Sequence, residues 1–382
     1  MCDIMRLIMK KEGAEMYYSE FNKIIEAGLD RDRNKVTSYS RLLAEKLEKD
    51  GESRASKRII SILERKNNGS VITDAIVAPP VDQESRLEIV EVNYKPSTVD
   101  LVLSKSVSLK LNDFIDTINN RDRMSSLGLD FNLSLLLYGA PGCGKSSAAQ
   151  FVASKLELPL VTARLDTLIS SLLGNTAKNI HKIFEYAKQQ PCVLFLDEFD
   201  AIAKARDDQH ELGELKRVVN SMLQNMDEYC TDGILIAATN HHQLLDRAVW
   251  RRFQTVIEMP KPGIEEIDIL AKQLPALLDY SMIKPRQWDR VIDALLGLSY
   301  SDIKGIFQNM VKKVILGNRD SLSLIDALVE VYLFRNHGDY TREEMVLYLA
   351  NYGVAQTQIA TYFDVSVRQI RNIVEKGDKD ER

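Results

Sequence analysis

Cysteine is scarce in this 382-residue chain: there are four, Cys2, Cys143, Cys192 and Cys230, and none sits in a C-x-x-C pair. That spacing argues against a zinc site and against a disulfide framework, and it fits a reducing compartment. Long apolar runs are missing too. Nothing approaches the roughly 20 residues needed to cross a bilayer, and Asp3 and Arg6 interrupt the start, unlike the apolar core of a signal peptide. The expectation is a soluble, cytoplasmic protein with no membrane partner. Neither sign of charge dominates, since 50 basic and 55 acidic side chains leave a formal net charge of -5. Polyanion binding through the field of the whole chain is excluded, so any nucleic-acid contact must come from a local patch. Internal repeats and low-complexity tracts are absent. The rest is ordinary globular composition, 45% hydrophobic and 27% charged, in a chain long enough for two or three domains.

Hydrophobic periodicity divides the chain. Over residues 1–70, apolar side chains recur at helical spacing: Tyr17, Phe21, Ile24 and Ile25, then Tyr39, Leu42, Leu43 and Leu47, then Ile59, Ile60 and Leu63. Three amphipathic helices follow, with Asp50-Gly51 ending one of them. No His, Cys or carboxylate cluster shares a face, so this segment suits either docking of a protein substrate or adaptor, or a purely structural bundle. Residues 71–100 are polar and punctuated by Pro79-Pro80 and Lys95-Pro96, which reads as a linker. From 101 to 262 short apolar runs (Leu133–Tyr138, Leu160–Ala163, Cys192–Leu196, Ile234–Thr239 and Thr255–Glu258) alternate with helical patterns. That alternation predicts an α/β domain, a parallel sheet with helices on both faces. Residues 263–335 read as a small all-helical domain, and 336–382 as a further helical segment of different spacing.

The chemistry begins at Gly139-Ala140-Pro141-Gly142-Cys143-Gly144-Lys145-Ser146, which fits G-x-x-x-x-G-K-[ST] between an apolar strand and a helix-forming stretch opened by Ser147. Glycines let the backbone turn its N–H groups toward phosphate oxygens, and the helix start adds its positive dipole end. Lys145 supplies a point charge for β- and γ-phosphates, and the Ser146 hydroxyl can take one position on Mg²⁺. A chance match has a frequency of roughly one in a hundred chains of this length, before the strand and helix context is required. Cys143 is expected to fill ordinary space inside the loop, the alternative being a thiol made reactive by the adjacent helix N-terminus.

Some fifty residues on, the buried strand Cys192–Leu196 ends abruptly in Asp197-Glu198. Successive residues leaving a strand point to opposite sides, so Asp197 is expected to hold the Mg²⁺ shell and Glu198 to orient water. The next strand ends in Asn240, whose amide can donate to a γ-phosphate oxygen and accept from the attacking water. Arg251-Arg252 follow, placed too far to the side to reach their own nucleotide.

This order of elements, with Leu244-Leu245-Asp246 leading to Arg251-Arg252-Phe253, resembles the AAA family of ATPases over about residues 101 to 334. The paired arginines are like those of the katanin, spastin and vacuolar-sorting members. The resemblance implies a P-loop NTPase fold with an all-helical lid, ATP and Mg²⁺ as cofactors, and a self-assembled ring, usually a hexamer. In such a ring Arg251 and Arg252 act as fingers on the neighbouring subunit's nucleotide. Ser171-Leu172-Leu173-Gly174 matches the string that grips a threaded polypeptide in the family, with Leu172 replacing the usual aromatic. Leu298–Ile303 looks like the start of the second-sensor helix, without an arginine. Similarity to stand-alone bacterial AAA ATPases sometimes encoded beside a subtilisin-like protease implies a protease partner as one option.

In the tail, Ile359, Phe363, Val365, Ile370 and Ile373 are spaced as a helix-turn-helix requires, with Ser366 as a cap for the second helix. The string resembles the DNA-binding helix-turn-helix of resolvases and small transcription factors. That likeness marks Arg368, Gln369, Arg371 and Asn372 as candidate DNA contacts. Asp364 stands where glycine is usual, and the end is acidic, so a bundle for assembly or partner docking is the competing reading. The leading expectation is an ATP-hydrolysing ring that remodels protein or protein–DNA assemblies. The alternative is an ATP-switched DNA-binding regulator.

Overall fold

The computed structural model describes residues 17–29, 33–65, 79–80, 88–96, 101–129, 131–165, 176–201, 212–273, 284–317 and 322–380. Three helices open it: α1 (Tyr18–Leu29), α2 (Arg33–Lys49) and α3 (Ser53–Arg65). Their apolar stripes meet in a small core of Tyr17, Leu43 and Leu47, with Phe21, Ile24, Ala55 and Ile59 packed on it. The Tyr17 hydroxyl donates to Asp50, and Lys46 pairs with Glu20 at 2.8 Å. Gly51 turns the chain between α2 and α3 at φ +82°, a conformation that disfavours any residue with a Cβ.

The sheet has six strands: β1 (Glu91–Asn93), β2 (Ser134–Tyr138), β3 (Leu160–Arg164), β4 (Val193–Asp197), β5 (Ile234–Thr239) and β6 (Thr255–Glu258), in the order β1-β3-β4-β5-β2-β6. The five strands read from the sequence are all parallel. β1 is an added edge strand, antiparallel to β3, inside the stretch that composition marked as linker. Three residues of mixed exposure carry too little pattern to announce a strand; pairing with β3 makes one.

The inner strands β2, β4 and β5 are buried, mainly apolar runs because both faces are covered. Leu136, Val161, Leu194, Leu196, Leu235 and Ala237 lie in one core with side chains of α7 (Thr176–Lys188) and α8 (Leu212–Tyr229), among them Ile180, Phe184, Met222 and Met226. The alternate residues Leu135, Leu137, Phe195 and Ile236 are equally buried, and the other face is served by α6 (Lys145–Leu156), with α4 (Lys105–Asn119) packed against α6 and β6. The short α5 (Arg121–Ser126) follows α4, and α9 (Arg247–Trp250) precedes β6.

The molecule resolves into two compact units. One holds residues 1–101, 105–139 and 145–259; the other holds 102–104, 140–144 and 260–382. The second unit is helical: α10 (Ile264–Lys272), α11 (Pro285–Leu295), α12 (Tyr300–Leu316), α13 (Leu324–Arg335), α14 (Arg342–Asn351), α15 (Gln356–Phe363) and α16 (Val367–Asp380). A single apolar core runs from Ile267 through Phe307, Leu328 and Leu349 to Ile359 and Ile370. The lid and tail segments therefore share buried surface, and their different periodicities belong to one packed body.

Candidate active site

Strand ends and one helix start converge at the carboxyl edge of the sheet. Where β2 stops, Gly139 takes φ +152°, and a Cβ there would strike the Met259 carbonyl, so the position demands glycine. Its N–H donates to the Thr239 carbonyl at 3.4 Å, which sets the loop start beside the end of β5. Lys145 and Ser146 begin α6. The Lys145 Nζ donates to the Gly139 carbonyl at 2.8 Å, so the side chain folds back over the loop. Among residues of the other unit, Gly142 (φ +72°) accepts from the Ser301 N–H at 3.1 Å, and a Cβ on it would meet the Ser299 side chain. Ser299 caps α12, accepting from the Asp302 N–H at 3.2 Å. Gly144 is also left-handed, at φ +86°. Cys143 is only 1% exposed, as ordinary filling of the loop requires, and burial shields the thiol that the alternative would make reactive.

Asp197 is the last residue of β4. Its Oδ2 accepts from the Ser146 hydroxyl at 3.2 Å, and its Oδ1 accepts from the Glu198 N–H at 2.9 Å. A hydroxyl and a carboxylate within hydrogen-bond distance are the hard oxygen donors that suit Mg²⁺, which keeps most of its shell as water and substrate oxygens. Glu198 sits at φ +54°, a left-handed conformation costing a residue with a Cβ about 1 kcal/mol. It turns the chain sharply at the strand end and carries Glu198 out of the sheet's alternation. Asn240 leaves β5 half-buried, its N–H donating to Asp200 Oδ1 at 3.3 Å.

The two arginines differ. Asp246 caps α9 by accepting from the Ala248 and Val249 N–H groups at 2.8 and 3.0 Å, which fixes the segment carrying them. Arg252 is tied inward: Nε pairs with Asp227 Oδ1 at 2.8 Å and Nη1 donates to the Ala248 carbonyl at 2.8 Å. Arg251 is exposed and makes no ion pair among the described residues. Phe253 packs edge-on against Phe199 at 5.7 Å, so the arginine segment touches the residue that follows Glu198.

Leu172 and Leu173 lie outside the described residues. In the tail, Arg368, Gln369, Arg371 and Asn372 are all exposed on α16, and Asp364 makes the left-handed turn before it at φ +52°. Gln369 is partly committed: its Oε1 accepts from the Ser366 N–H at 2.9 Å while its N–H donates to Ser366 Oγ at 3.3 Å, a reciprocal helix cap. Sequence reasoning missed Asp200, Thr239 and Asp227. The acid three residues after Asp197 was the available signal for the first.

A sheet in which β2 runs through a glycine loop into α6, with β4 ending in an acid on the far side of β5, defines a P-loop NTPase. Residues 135–261 match the family described as ATPase family associated with various cellular activities (AAA). An uncharacterized AAA family ATPase of Sinorhizobium fredii, y4kL, is 41% identical over 224 residues, covering 58% of this chain and 66% of its own length. The proteasome-activating nucleotidase of Pyrococcus furiosus is 31% identical over 228 residues, covering 56% of each chain. The crystal structure of the FIGL-1 AAA domain superposes with a TM-score of 0.55 at 21% identity, covering 71% of this chain and 94% of that one. This chain thus spans about two thirds or less of the curated relatives it matches. It carries an ATPase domain of the AAA family, an ATP hydrolase module.

Proposed function

We propose that this chain is an ATP-driven remodelling enzyme that works as a homo-oligomeric ring on protein or protein–DNA assemblies. The observation that carries the reading is the contrast between Arg252, held by Asp227, and Arg251, exposed and without an ion pair among the described residues. A guanidinium presented outward from an ordered segment suits a nucleotide held by a second copy.

In this reading the loop amides and Lys145 bind the phosphates of ATP. Ser146 and Asp197 hold Mg²⁺, which when bound neutralises charge on the β- and γ-phosphate oxygens. Glu198 orients and polarises the attacking water, and Asn240 contacts the γ-phosphate and that water. The neighbour's Arg251 stabilises charge developing in transfer, an effect worth about 10³–10⁵ in rate for such fingers. The N-terminal helices recruit the target, and Leu172-Leu173 press on it. Relatives named as proteasome-activating nucleotidases support a proteolytic partner as one destination of the remodelled protein. Among the described residues no helix is long and apolar enough to cross a membrane. The test is a dilution series with light scattering: specific ATPase activity falls as the ring dissociates, and a flat profile through dissociation contradicts the reading.

A second reading rests on α15, the left-handed turn at Asp364 and α16, which leave Arg368 and Arg371 exposed beside buried Ile370. Here ATP switches binding of DNA in a major groove. Log affinity for duplex DNA should then fall steeply with log salt, with a shallower slope in Arg368→Ala/Arg371→Ala. Salt-independent or absent binding removes this reading.

A further inference from the structure

Asp200 lies in the turn after β4, is 3% exposed, and has its carboxylate directed at the end of the neighbouring strand β5. Its Oδ1 accepts from the Thr239 hydroxyl at 3.0 Å and from the Asn240 N–H at 3.3 Å. The same Thr239 Oγ accepts from the His241 N–H at 3.1 Å, and one residue back the Phe199 N–H donates to the Ala238 carbonyl at 2.8 Å. Four hydrogen bonds therefore order the turn that carries Asn240, three of them joining it to the segment that carries Glu198. Burying a carboxylate is costly unless it is hydrogen-bonded, and these bonds are directed at both sides of residue 239–240. An apolar side chain could fill the space, but it could not accept from the Asn240 amide.

We infer that Asp200, through the Thr239 hydroxyl and the Asn240 N–H, is a positioning residue that fixes the separation of Glu198 and Asn240, and so where water sits against the γ-phosphate. The inference rests on the assignment of Asn240 to the γ-phosphate in the proposed function. Asp200 touches no substrate in this scheme; it acts through the backbone of residue 240. A displacement of about 1 Å in such a constellation can cost about 10²-fold in rate, which sets the expected size of the effect.

The experiment measures ATPase turnover and the affinities for ATP and ADP in the full chain carrying Asp200→Ala, Thr239→Val, Asn240→Ala and the pair Asp200→Ala/Asn240→Ala, with melting temperature as the folding check. Asp200→Ala is expected to lower turnover about 10²-fold and to erase the preference for ATP over ADP while ADP affinity stays put. Thr239→Val, which removes only the hydroxyl, should move both readouts in the same direction if Asp200→Ala fails to fold. The double variant should be no worse than Asn240→Ala, because both changes disable one contact. Asp200→Asn, which keeps an acceptor oxygen, should recover much of the loss. Additive losses in the double variant, or an intact ATP preference in both Asp200→Ala and Thr239→Val, overturn the inference. An Asn240→Ala protein that keeps full turnover and ATP preference overturns instead the assignment of Asn240.

Discussion

The two edges of the sheet are built from the same strands and have opposite characters. At the carboxyl edge β2, β4 and β5 release Gly139, Asp197 and Asn240, and α6 begins with Lys145 and Ser146. At the amino edge Leu133, Leu158, Cys192 and Ile234 border a cavity of about 610 Å³ shared with α1 and α2. Its wall carries ion pairs such as Lys46–Glu20 and Arg121–Asp232, with Lys23 over the Tyr39 ring at 5.1 Å. Burial pushes the Cys192 thiol up to about 12 and raises Tyr229 well above the usual phenol range. In a parallel sheet, strand ends and helix starts coincide at one edge only, so phosphate-binding amides and turn carboxylates gather there. The amino edge lacks that arrangement and serves to anchor the N-terminal helices.

If this division is right, changes at the two edges separate into rate effects and stability effects. The largest rate effect is expected for Arg251→Ala: ATPase activity of the assembled protein falls about 10³-fold or more with unchanged melting temperature. Arg252→Ala should lower activity as well, but it also removes the Asp227 pair, worth about 0–1 kcal/mol, so its melting temperature drops slightly. Glu198→Gln should reduce turnover about 10²–10⁴-fold while ATP binding persists, read by single-turnover kinetics beside nucleotide titration. At the other edge, Leu43→Ala opens a cavity in the small helical core and should cost about 2–5 kcal/mol there. That loss should appear as an earlier transition in thermal denaturation, with basal ATPase little changed.

A pH scan sharpens the same contrast. Burial raises Cys192 and Cys230 from an ordinary value of 9.0 to about 12. The native state thus keeps protons that the unfolded chain gives up. That contribution is full below pH 9 and is lost as pH rises toward 12. Melting temperature should fall over this window, and less steeply in Cys192→Ala/Cys230→Ala. The smallest effect is expected in the tail: Asp364→Gly relieves a left-handed residue and should raise stability by about 1 kcal/mol in a chemical melt.

How much of this was legible beforehand follows from which forces act locally. The phosphate loop and the Asp197-Glu198 pair could be read because fixed glycine and acid positions are required by chain geometry within a few residues. Ile234–Thr239 and Thr255–Glu258 run over the expected residues, since buried parallel strands are continuous apolar runs. β1 was hidden, because three residues become a strand only by pairing with β3, more than sixty positions away. Asp200 shows in the sequence only as an acid three residues after Asp197; its partner Thr239 lies on the next strand, and nothing local marks the acid as buried. The pairing of Arg252 with Asp227 likewise depends on α8, which no spacing rule connects to residue 252. The joint core of α10–α16 escaped notice because periodicity reports a helix's own stripe and not what covers it.

The most direct measurement mixes two inactive proteins. Glu198→Gln retains Arg251 but cannot turn over its own ATP, and Arg251→Ala retains Glu198 but presents no finger. If nucleotide is completed by a neighbouring copy, mixed rings regain ATPase activity above either parent, rising and falling with the mixing ratio. Mixtures no more active than the sum of their parts, with mixed assembly verified by differential labelling, or full activity in Arg251→Ala alone, contradict a site shared between subunits.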